Sequence, residues 1–124
     1  MKLVPQVMFQ GQMSHALDLW RRAFPKMTVT PLASDAGRPT LAQVVIAGQE
    51  LTVFDSPPVH EFGFTPAISL TVTCDTGEEV DRLFDVLSDG GEVLMPLEAY
   101  DFSPRYAWIN DRFGVSWQLM QAPS

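Results

Sequence analysis

The chain has 124 residues, and 46% of them are apolar, which is enough for one domain with a hydrophobic core. Its formal net charge is −7 and its eight Lys and Arg residues form no basic stripe, so we do not expect binding to nucleic acid. A single cysteine, Cys74, and the lack of any apolar run of about 20 residues predict a cytoplasmic protein without an internal disulfide or a membrane span. The apolar run within residues 1–9 is too short for a signal peptide.

The first half of the chain opens with a strand and a helix. Alternating apolar residues predict a strand at Leu3–Gln10, which Gly11 ends. Apolar residues then recur at three- and four-residue spacing, which predicts an amphipathic helix from about Met13 to Phe24. Either Gln12 or Ser14 is expected to cap the start of this helix.

The remainder of the first half is predicted to be β-structure. The predicted segments are a short strand at 28–31, a loop at 34–39, and strands at 40–47 and 51–54. The turn signal Gly48-Gln49-Glu50 joins the last two strands into a hairpin. A proline-rich stretch follows, and we place an internal linker there, at about 58–64.

The second half repeats this order. The predicted segments are a strand at 67–73, a helix that opens near Thr76, a short strand at 92–95, a long loop at 96–104 and a hairpin at 105–120. Thr76 with Glu79 three residues later has the form of a capping box, and Gly90-Gly91 is a typical C-terminal helix signal. The helical residues expected to face the core are Val80, Leu83, Phe84 and Leu87.

The predicted hairpin, RYAWINDRFGVSWQLM, has a second strand with two different faces. One face carries Val115, Trp117 and Leu119, and the other carries Ser116, Gln118 and Met120. A strand with one apolar face and one mixed face fits either a half-exposed sheet or the wall of a pocket.

Both halves are therefore predicted to be βαβββ modules. The offset between corresponding signals is nearly constant, with 62 residues from Pro5 to Ala67 and 66 from Gly48 to Gly114. We expect a single domain over 1–124, with module 1 at about 1–57, the linker at about 58–64 and module 2 at about 65–122.

Three segments resemble a known family: TPAISLTVTCD at 65–75, EEVDRLFDVLSDGGEVLMPL at 78–97, and the FS-RY-W--DRFGVSWQL pattern from Phe102 to Leu119. They are similar to the PhnB-like family of the vicinal-oxygen-chelate superfamily, which includes glyoxalases, bleomycin-resistance proteins and extradiol dioxygenases. The first half is similar more loosely, through FQG at 9–11 and the Gly48-to-Asp55 hairpin. The resemblance implies an α+β fold in which two βαβββ modules form a curled mixed-sheet cup. It also implies a homodimer, and some members are named 3-demethylubiquinone-9 3-methyltransferase.

Metal-using relatives place their ligands on the first and last strands of each module. The resemblance assigns those positions to Pro5, Thr52, Ala67 and Gln118. Such sites use His, Glu, Asp or Gln side chains, and only Gln118 is of this kind. We therefore expect no metal and no other cofactor.

The remaining reactive residue types favour no catalytic site. His15 on the first helix and His60 in the proline-rich segment share no ligand spacing and are expected to be hydrated. Cys74 ends a strand and is expected to be a small buried hydrophobe. No glycine-rich loop follows a strand, which argues against a nucleotide-dependent methyltransferase. Three aspartates occupy predicted turns, where Asp is common for backbone reasons: Asp55, Asp101 and Asp111.

We favour a cup that binds a small molecule without a metal. Its predicted ligand-binding residues are Thr52, Phe54, Ser69, Thr71, Tyr100, Phe102, Trp108, Ser116 and Gln118. Tyr100 and Phe102 are expected on a loop that closes over the site. Gln118 either orients a polar ligand through its amide or only bonds a neighbour in a filled barrel. Two alternatives stay open: an enzyme of the superfamily (a metal-dependent lyase, a dioxygenase or a methyltransferase) and a dimeric scaffold without a ligand.

Overall fold

A computed structural model describes residues 1–123 as two compact units, one spanning Met1–Glu61 and the other beginning at Phe62. The elements of the first unit are β1 (Gln6–Phe9), α1 (Met13–Ala23), β2 (Thr28–Asp35), β3 (Arg38–Ile46) and β4 (Gln49–Asp55). Those of the second are β5 (Leu70–Cys74), α2 (Gly77–Leu87), β6 (Glu92–Tyr100), β7 (Ser103–Asn110) and β8 (Ser116–Gln121).

Both units have the same sheet topology. The strand orders are β1-β4-β3-β2 and β5-β8-β7-β6, and in each sheet the first pair is parallel while the others are antiparallel. The predicted α+β fold with two βαβββ modules is confirmed. The single domain and the shared cup stay predictions.

Each helix packs its apolar stripe on its own sheet. In the first unit, α1 buries Met13, Ala16 and Trp20, and the Trp20 ring meets Phe9 of β1 edge-on, with ring centroids 5.8 Å apart. In the second unit, α2 packs against β7 and β8 and buries Val80, Leu83 and Leu87. Phe84, which we also predicted to face the core, is only partly buried.

The two helices begin differently. Thr76 caps α2, and its Oγ1 accepts a hydrogen bond from Glu79 N at 3.2 Å, as the capping-box pattern predicted. Gln12 occupies the cap position of α1 but makes no side-chain cap bond, and Ser14 already lies within the helix. The prediction of a side-chain cap for α1 was therefore wrong.

Two segments predicted as loops are mostly strand, with turns only at 36–37 and 101–102. The segment at 34–39 belongs to the β2–β3 hairpin, and the one at 96–104 belongs to the β6–β7 hairpin. The first was predicted from its composition, SDAGRP, and the second is bounded by Pro96 and Pro104. Pro96 lies in the edge strand β6 beside register shifts, where the ladder does not require an N–H donor.

Within residues 1–123, no helix is long and apolar enough to cross a membrane.

Candidate functional site

The candidate site lies on the sheet face of the second unit that points away from α2, which we call the helix-distal face. Residues of β7 and β8 alternate, so the side chains buried beneath the helix are Ala107, Ile109, Trp117 and Leu119, each at most 1% exposed. The intervening side chains reach the helix-distal face. There Trp108 stands directly opposite Gln118, and Tyr106 opposite Met120.

Two linked hydrogen bonds cross this face, from β7 over β8 to the segment that precedes β5. Tyr106 Oη donates to Gln118 Oε1 at 2.7 Å, and Gln118 Nε2 donates to Ser69 Oγ at 2.9 Å. Tyr106 belongs to β7, while Ser69 precedes β5 on the other side of β8. The amide of Gln118 is therefore held from both flanks.

A third hydrogen bond lies beside these two. Trp108 Nε1 donates to Ser116 Oγ at 2.8 Å, and Ser116 is 2% exposed. Asn110 stands opposite Ser116, and its Nδ2 faces Glu92 Oε1 at 3.4 Å. Among the described residues, Asn110 Oδ1 is buried without a hydrogen-bond partner.

Three aromatic rings border these hydrogen bonds. Tyr100 and Phe102 stack with centroids 5.5 Å apart, and Tyr106 meets them edge-on at 5.4 and 4.8 Å. Tyr100 ends β6 and Phe102 lies in the tight turn before β7, with Tyr100 Oη bonded to Pro96 O at 2.8 Å. The predicted closing loop is therefore the end of a β-hairpin, because both strands continue to the turn.

Both tyrosines on this face stay protonated at neutral pH. Burial raises the pKa of Tyr106, with a smaller contribution from Tyr100. Burial also raises the pKa of Tyr100, and the Glu98 carboxylate adds to that effect. A protonated phenol donates, so Tyr106 has the proton that its bond to Gln118 requires.

The predicted site residues are only partly brought together. Ser69, Trp108, Ser116 and Gln118 form the two hydrogen-bonded pairs, with exposed Thr71 directly opposite Gln118 in the β5–β8 register. Tyr100 and Phe102 join them through the aromatic cluster. Thr52 and Phe54 lie on β4 in the first unit. Their place in a common site stays a prediction.

Tyr106 is the residue that sequence reasoning missed. It contacts both the aromatic cluster and Gln118. The sequence did indicate its position, because Tyr106 lies two residues before Trp108 in the same strand and the two side chains therefore point to the same face. We read it only as a strand-favouring residue.

Two of the four positions that the resemblance assigned to metal ligands, Pro5 and Ala67, lie outside the strands on which we placed them, because the predicted first strands began too early. The residues that pair with Thr52 and Gln118 are Gln6 and Thr71. Among the described residues, no group of three or more His, Cys, Asp or Glu side chains is placed to hold a metal ion.

The first unit carries a cleft of about 320 Å³. Its walls come from Gly11, from the β2–β3 turn with Asp35 and Arg38, and from the segment Asp55–Pro58. Asp55 Oδ1 accepts a hydrogen bond from Gly11 N at 2.7 Å, and Arg38 stands 3.9 Å from Asp55 Oδ2. None of the predicted site residues lines this cleft. Asp55 has a structural role there, because its carboxylate ties the end of β1 to the end of β4.

A serine–histidine contact lies at the rim of this cleft but does not make an activated nucleophile. His60 Nε2 is 3.0 Å from Ser56 Oγ. Ser56 Oγ donates its proton to Pro57 O at 2.9 Å, so that proton does not point towards the imidazole. The contact therefore lacks the hydroxyl-to-imidazole hydrogen bond that general-base catalysis requires.

Two further residue predictions can be placed. Cys74 is 5% exposed, and burial, followed by the Glu79 carboxylate, raises the pKa of its thiol to about 11. Such a thiol is a poor nucleophile at neutral pH.

Asp111 is 2% exposed and accepts hydrogen bonds from Phe113 N, Val115 N and Trp117 Nε1 at 2.9, 3.1 and 3.0 Å. It has the structural turn role that its position suggested.

The comparisons with known proteins agree with this architecture. The family described as 3-demethylubiquinone-9 3-methyltransferase matches residues 1–120. This chain belongs to that family. The PhnB protein from Bacillus cereus is 37% identical, with 98% of this chain and 100% of that chain covered and a TM-score of 0.89. Among curated proteins, no match was found.

More distant structures share the fold alone. A glyoxylase/bleomycin resistance protein/dioxygenase domain from Frankia sp. EAN1pec is 12% identical over 100% of this chain and 93% of that one, with a TM-score of 0.68. The fosfomycin resistance protein FosX from Listeria monocytogenes, complexed with Mn(II) and sulfate, is 13% identical over 99% and 90%, with a TM-score of 0.65. The predicted PhnB-like assignment within the glyoxalase and bleomycin-resistance fold is thus confirmed.

Proposed function

We propose that the helix-distal face of the second unit binds a small organic molecule, and that it does so without a metal. The observation that carries this proposal is the Gln118 amide, held between Tyr106 and Ser69 beside the Trp108 ring. Ligand sites combine apolar surface with a few placed polar groups, and this face has both.

The chemistry of this face favours binding over catalysis. The groups that hold Gln118 and Trp108 are an amide, hydroxyls, a phenol and an indole, which are neutral near pH 7 and orient a ligand without supplying a strong general base. The two carboxylates on this face, Glu92 and Glu98, lie exposed on the edge strand β6. We also propose a homodimer, because large apolar side chains such as Leu3, Val59 and Ile68 are 89, 73 and 82% exposed in the single chain. A cytoplasmic location remains part of the proposal.

An enzyme of the superfamily is the second candidate, because the family description names a methyltransferase. That reaction needs a methyl donor and a site that places it against an acceptor oxygen. The helix-distal face offers Gln118 and two tyrosines for positioning an acceptor. Turnover of a quinol by the purified protein would favour this candidate over simple binding.

The binding proposal is tested with Gln118→Ala and the matched variant Gln49→Ala. Gln49 lies exposed at the start of β4, and its Nε2 bonds only the carbonyl of Glu50 among described groups. A ligand identified by quenching of tryptophan fluorescence should bind Gln118→Ala about 1–3 kcal/mol more weakly, because a buried ligand group loses its partner. Gln49→Ala should bind normally. Failure of a broad library to bind the wild-type protein would reject the proposal.

Metal independence has its own test. Treatment with a chelator should leave the thermal unfolding temperature and the ligand affinity unchanged, because no metal-binding free energy is linked to folding. The metal content of the purified protein provides the check. One zinc, nickel, manganese or iron ion per chain would contradict the metal-free proposal.

A further inference from the structure

The Gln118 amide is fixed in space by its two neighbours. Tyr106 approaches from β7 and Ser69 from the β5 side, so rotation of the amide breaks both bonds, of 2.7 and 2.9 Å. Gln118 itself lies in the inner strand β8, between β5 and β7. A polar group held in this way is pre-organised, and a ligand does not have to order it on binding.

The fixed amide retains hydrogen-bonding capacity. A glutamine oxygen has two lone pairs and its nitrogen has two N–H bonds. Tyr106 takes one lone pair and Ser69 takes one N–H, and the described residues supply no third partner. One lone pair on Oε1 and one N–H on Nε2 therefore remain, side by side on the same amide group. Exchanging the amide oxygen and nitrogen leaves the same free donor and acceptor. In that orientation the Tyr106 hydroxyl accepts from the amide nitrogen and the Ser69 hydroxyl donates to the amide oxygen.

The adjacent Trp108 ring restricts the ligand further. It stands directly across from Gln118, and its own N–H is already donated to Ser116. The ring therefore offers a flat apolar surface with no competing polar group. A planar ligand against such a surface gains stacking contact while its edge faces the amide.

We propose that Gln118 selects planar ligands that carry an N–H donor next to a carbonyl acceptor, as in a lactam, imide or cyclic amide. This inference rests on the binding function proposed above. A bidentate pair with a fixed amide rejects an analogue that lacks the donor, because the Gln118 oxygen is then left unpaired against an alkyl group. Tyr106 acts as a positioning residue, since it reaches the ligand only through Gln118.

The experiment compares 2-quinolone with N-methyl-2-quinolone, in which a methyl group replaces the hydrogen of the N–H donor. Titration followed by tryptophan fluorescence should show that the wild-type protein binds 2-quinolone about tenfold more tightly. Gln118→Met should bind both probes with similar affinity, because the shape is kept while the amide is lost. Tyr106→Phe should keep a reduced preference of about threefold, because the amide is present but held from one side.

Near-UV circular dichroism of each variant confirms folding, and Gln49→Met serves as the matched control that keeps the full preference. Equal binding of the two probes to the wild-type protein, or an unchanged preference in Gln118→Met, would overturn the inference. If neither probe binds while other library compounds do, the lactam selectivity is wrong and the binding function stands. If no compound binds at all, both proposals fail.

Discussion

The two units have the same topology but differ in the chemistry of their helix-distal faces. In the first unit an ion pair lies on this face, in which Lys2 Nζ bonds Glu50 Oε1 at 3.0 Å. A hydrogen bond from Gln43, followed by the Lys2 contacts, lowers the pKa of Glu50. In the second unit the centre of the equivalent face carries hydrogen-bonded amides, hydroxyls and aromatic rings, and its carboxylates, Glu92 and Glu98, lie on the edge strand β6. Topology thus fixes which positions share a face, whereas the side chains decide what that face can bind.

The β-hairpin turns that end these faces also differ. The first unit joins β3 to β4 through Ala47 and Gly48, both at positive φ (49° and 84°), the conformation of a tight primed turn. The second unit joins β7 to β8 through a longer turn organised by the Asp111 carboxylate. One turn therefore depends on backbone conformation and the other on a buried side chain.

The largest expected effect comes from removing that side chain. Asp111→Ala leaves two backbone N–H groups and the Trp117 indole N–H without their acceptor, so we expect the free energy of unfolding to fall by about 3–4 kcal/mol. Urea unfolding followed by tryptophan fluorescence measures it. Asp85→Ala, on the exposed side of α2, is the control and should change stability by less than about 0.5 kcal/mol. Similar losses in both variants would refute the role of Asp111.

The next largest effect concerns the turn after each helix. Gly91 N bonds Ser88 O at 2.9 Å and Met27 N bonds Phe24 O at 3.0 Å, so the two positions are equivalent. A Cβ on Gly91 would overlap the carbonyl oxygen of Asn110, whereas the first unit accommodates a methionine. Gly91→Ala should cost about 2–3 kcal/mol.

Gly63→Ala is the matched control for this comparison, because nothing lies within 4 Å of an added Cβ and its φ is not positive. Hydrogen exchange read by mass spectrometry should show lower protection in β6 and β7 of the Gly91→Ala protein. Unaltered stability of that variant would mean that the close approach of the two backbones is relieved at little cost.

A more modest effect is expected from alkaline pH. Cys74 ends β5 as Phe9 ends β1, but only the cysteine can ionise. Because the folded pKa of about 11 lies above the ordinary value of 9.0, the folded protein holds this proton more tightly than the unfolded chain. Stability from this group is complete below pH 9 and is lost as pH rises from 9 to 11.

Reaction of Cys74 with a thiol reagent measures this effect. At pH 8 the native thiolate population should be about 100-fold below that of the unfolded chain, since two pKa units separate them. Modification in native buffer as fast as in urea would show that the thiol is accessible and its pKa ordinary. Cys74→Ala should remove the cysteine's contribution to the stability decline between pH 9 and 11.

The smallest expected effects come from exchanging residues at positive φ. Ala47→Gly in the first unit should raise stability by about 0.5 kcal/mol, because glycine adopts this conformation without strain. Gly114→Ala in the second unit, at φ 91°, should lower it by about 1 kcal/mol. Thermal unfolding measures the change in stability of both variants. Changes of the same sign would show that the two turns are not governed by backbone conformation in the same way.

Local patterns predicted much of this fold. The Thr76 capping box, the spacing of apolar residues in α1, and the alternation of Trp117 and Leu119 each depend on contacts within a few residues. Such contacts are encoded in adjacent sequence, so periodicity and capping rules recover them. The near-constant offset between the halves then predicted two modules with the same order of elements.

Strand ends were less predictable. Pro96 indicated a loop, but an edge strand with register shifts accepts proline because its outer N–H groups need no partner. Which strand becomes an edge is set by pairing between residues far apart in the chain. The early start assigned to β5 had the same cause, and it misplaced Ala67 on the sheet.

The sequence by itself determined which residues of the candidate site share a sheet face. Ser116 and Gln118 share one face of β8, and the same alternation on β7 gives the face of Trp108. Only the tertiary structure decided that Tyr106 and Ser69 hold the Gln118 amide from opposite sides. The reason is physical. Alternation fixes the direction of a side chain along its own strand, but a hydrogen bond between strands depends on their register. Ser69 and Gln118 are 49 positions apart in the chain, so no local pattern encodes the register that brings them together.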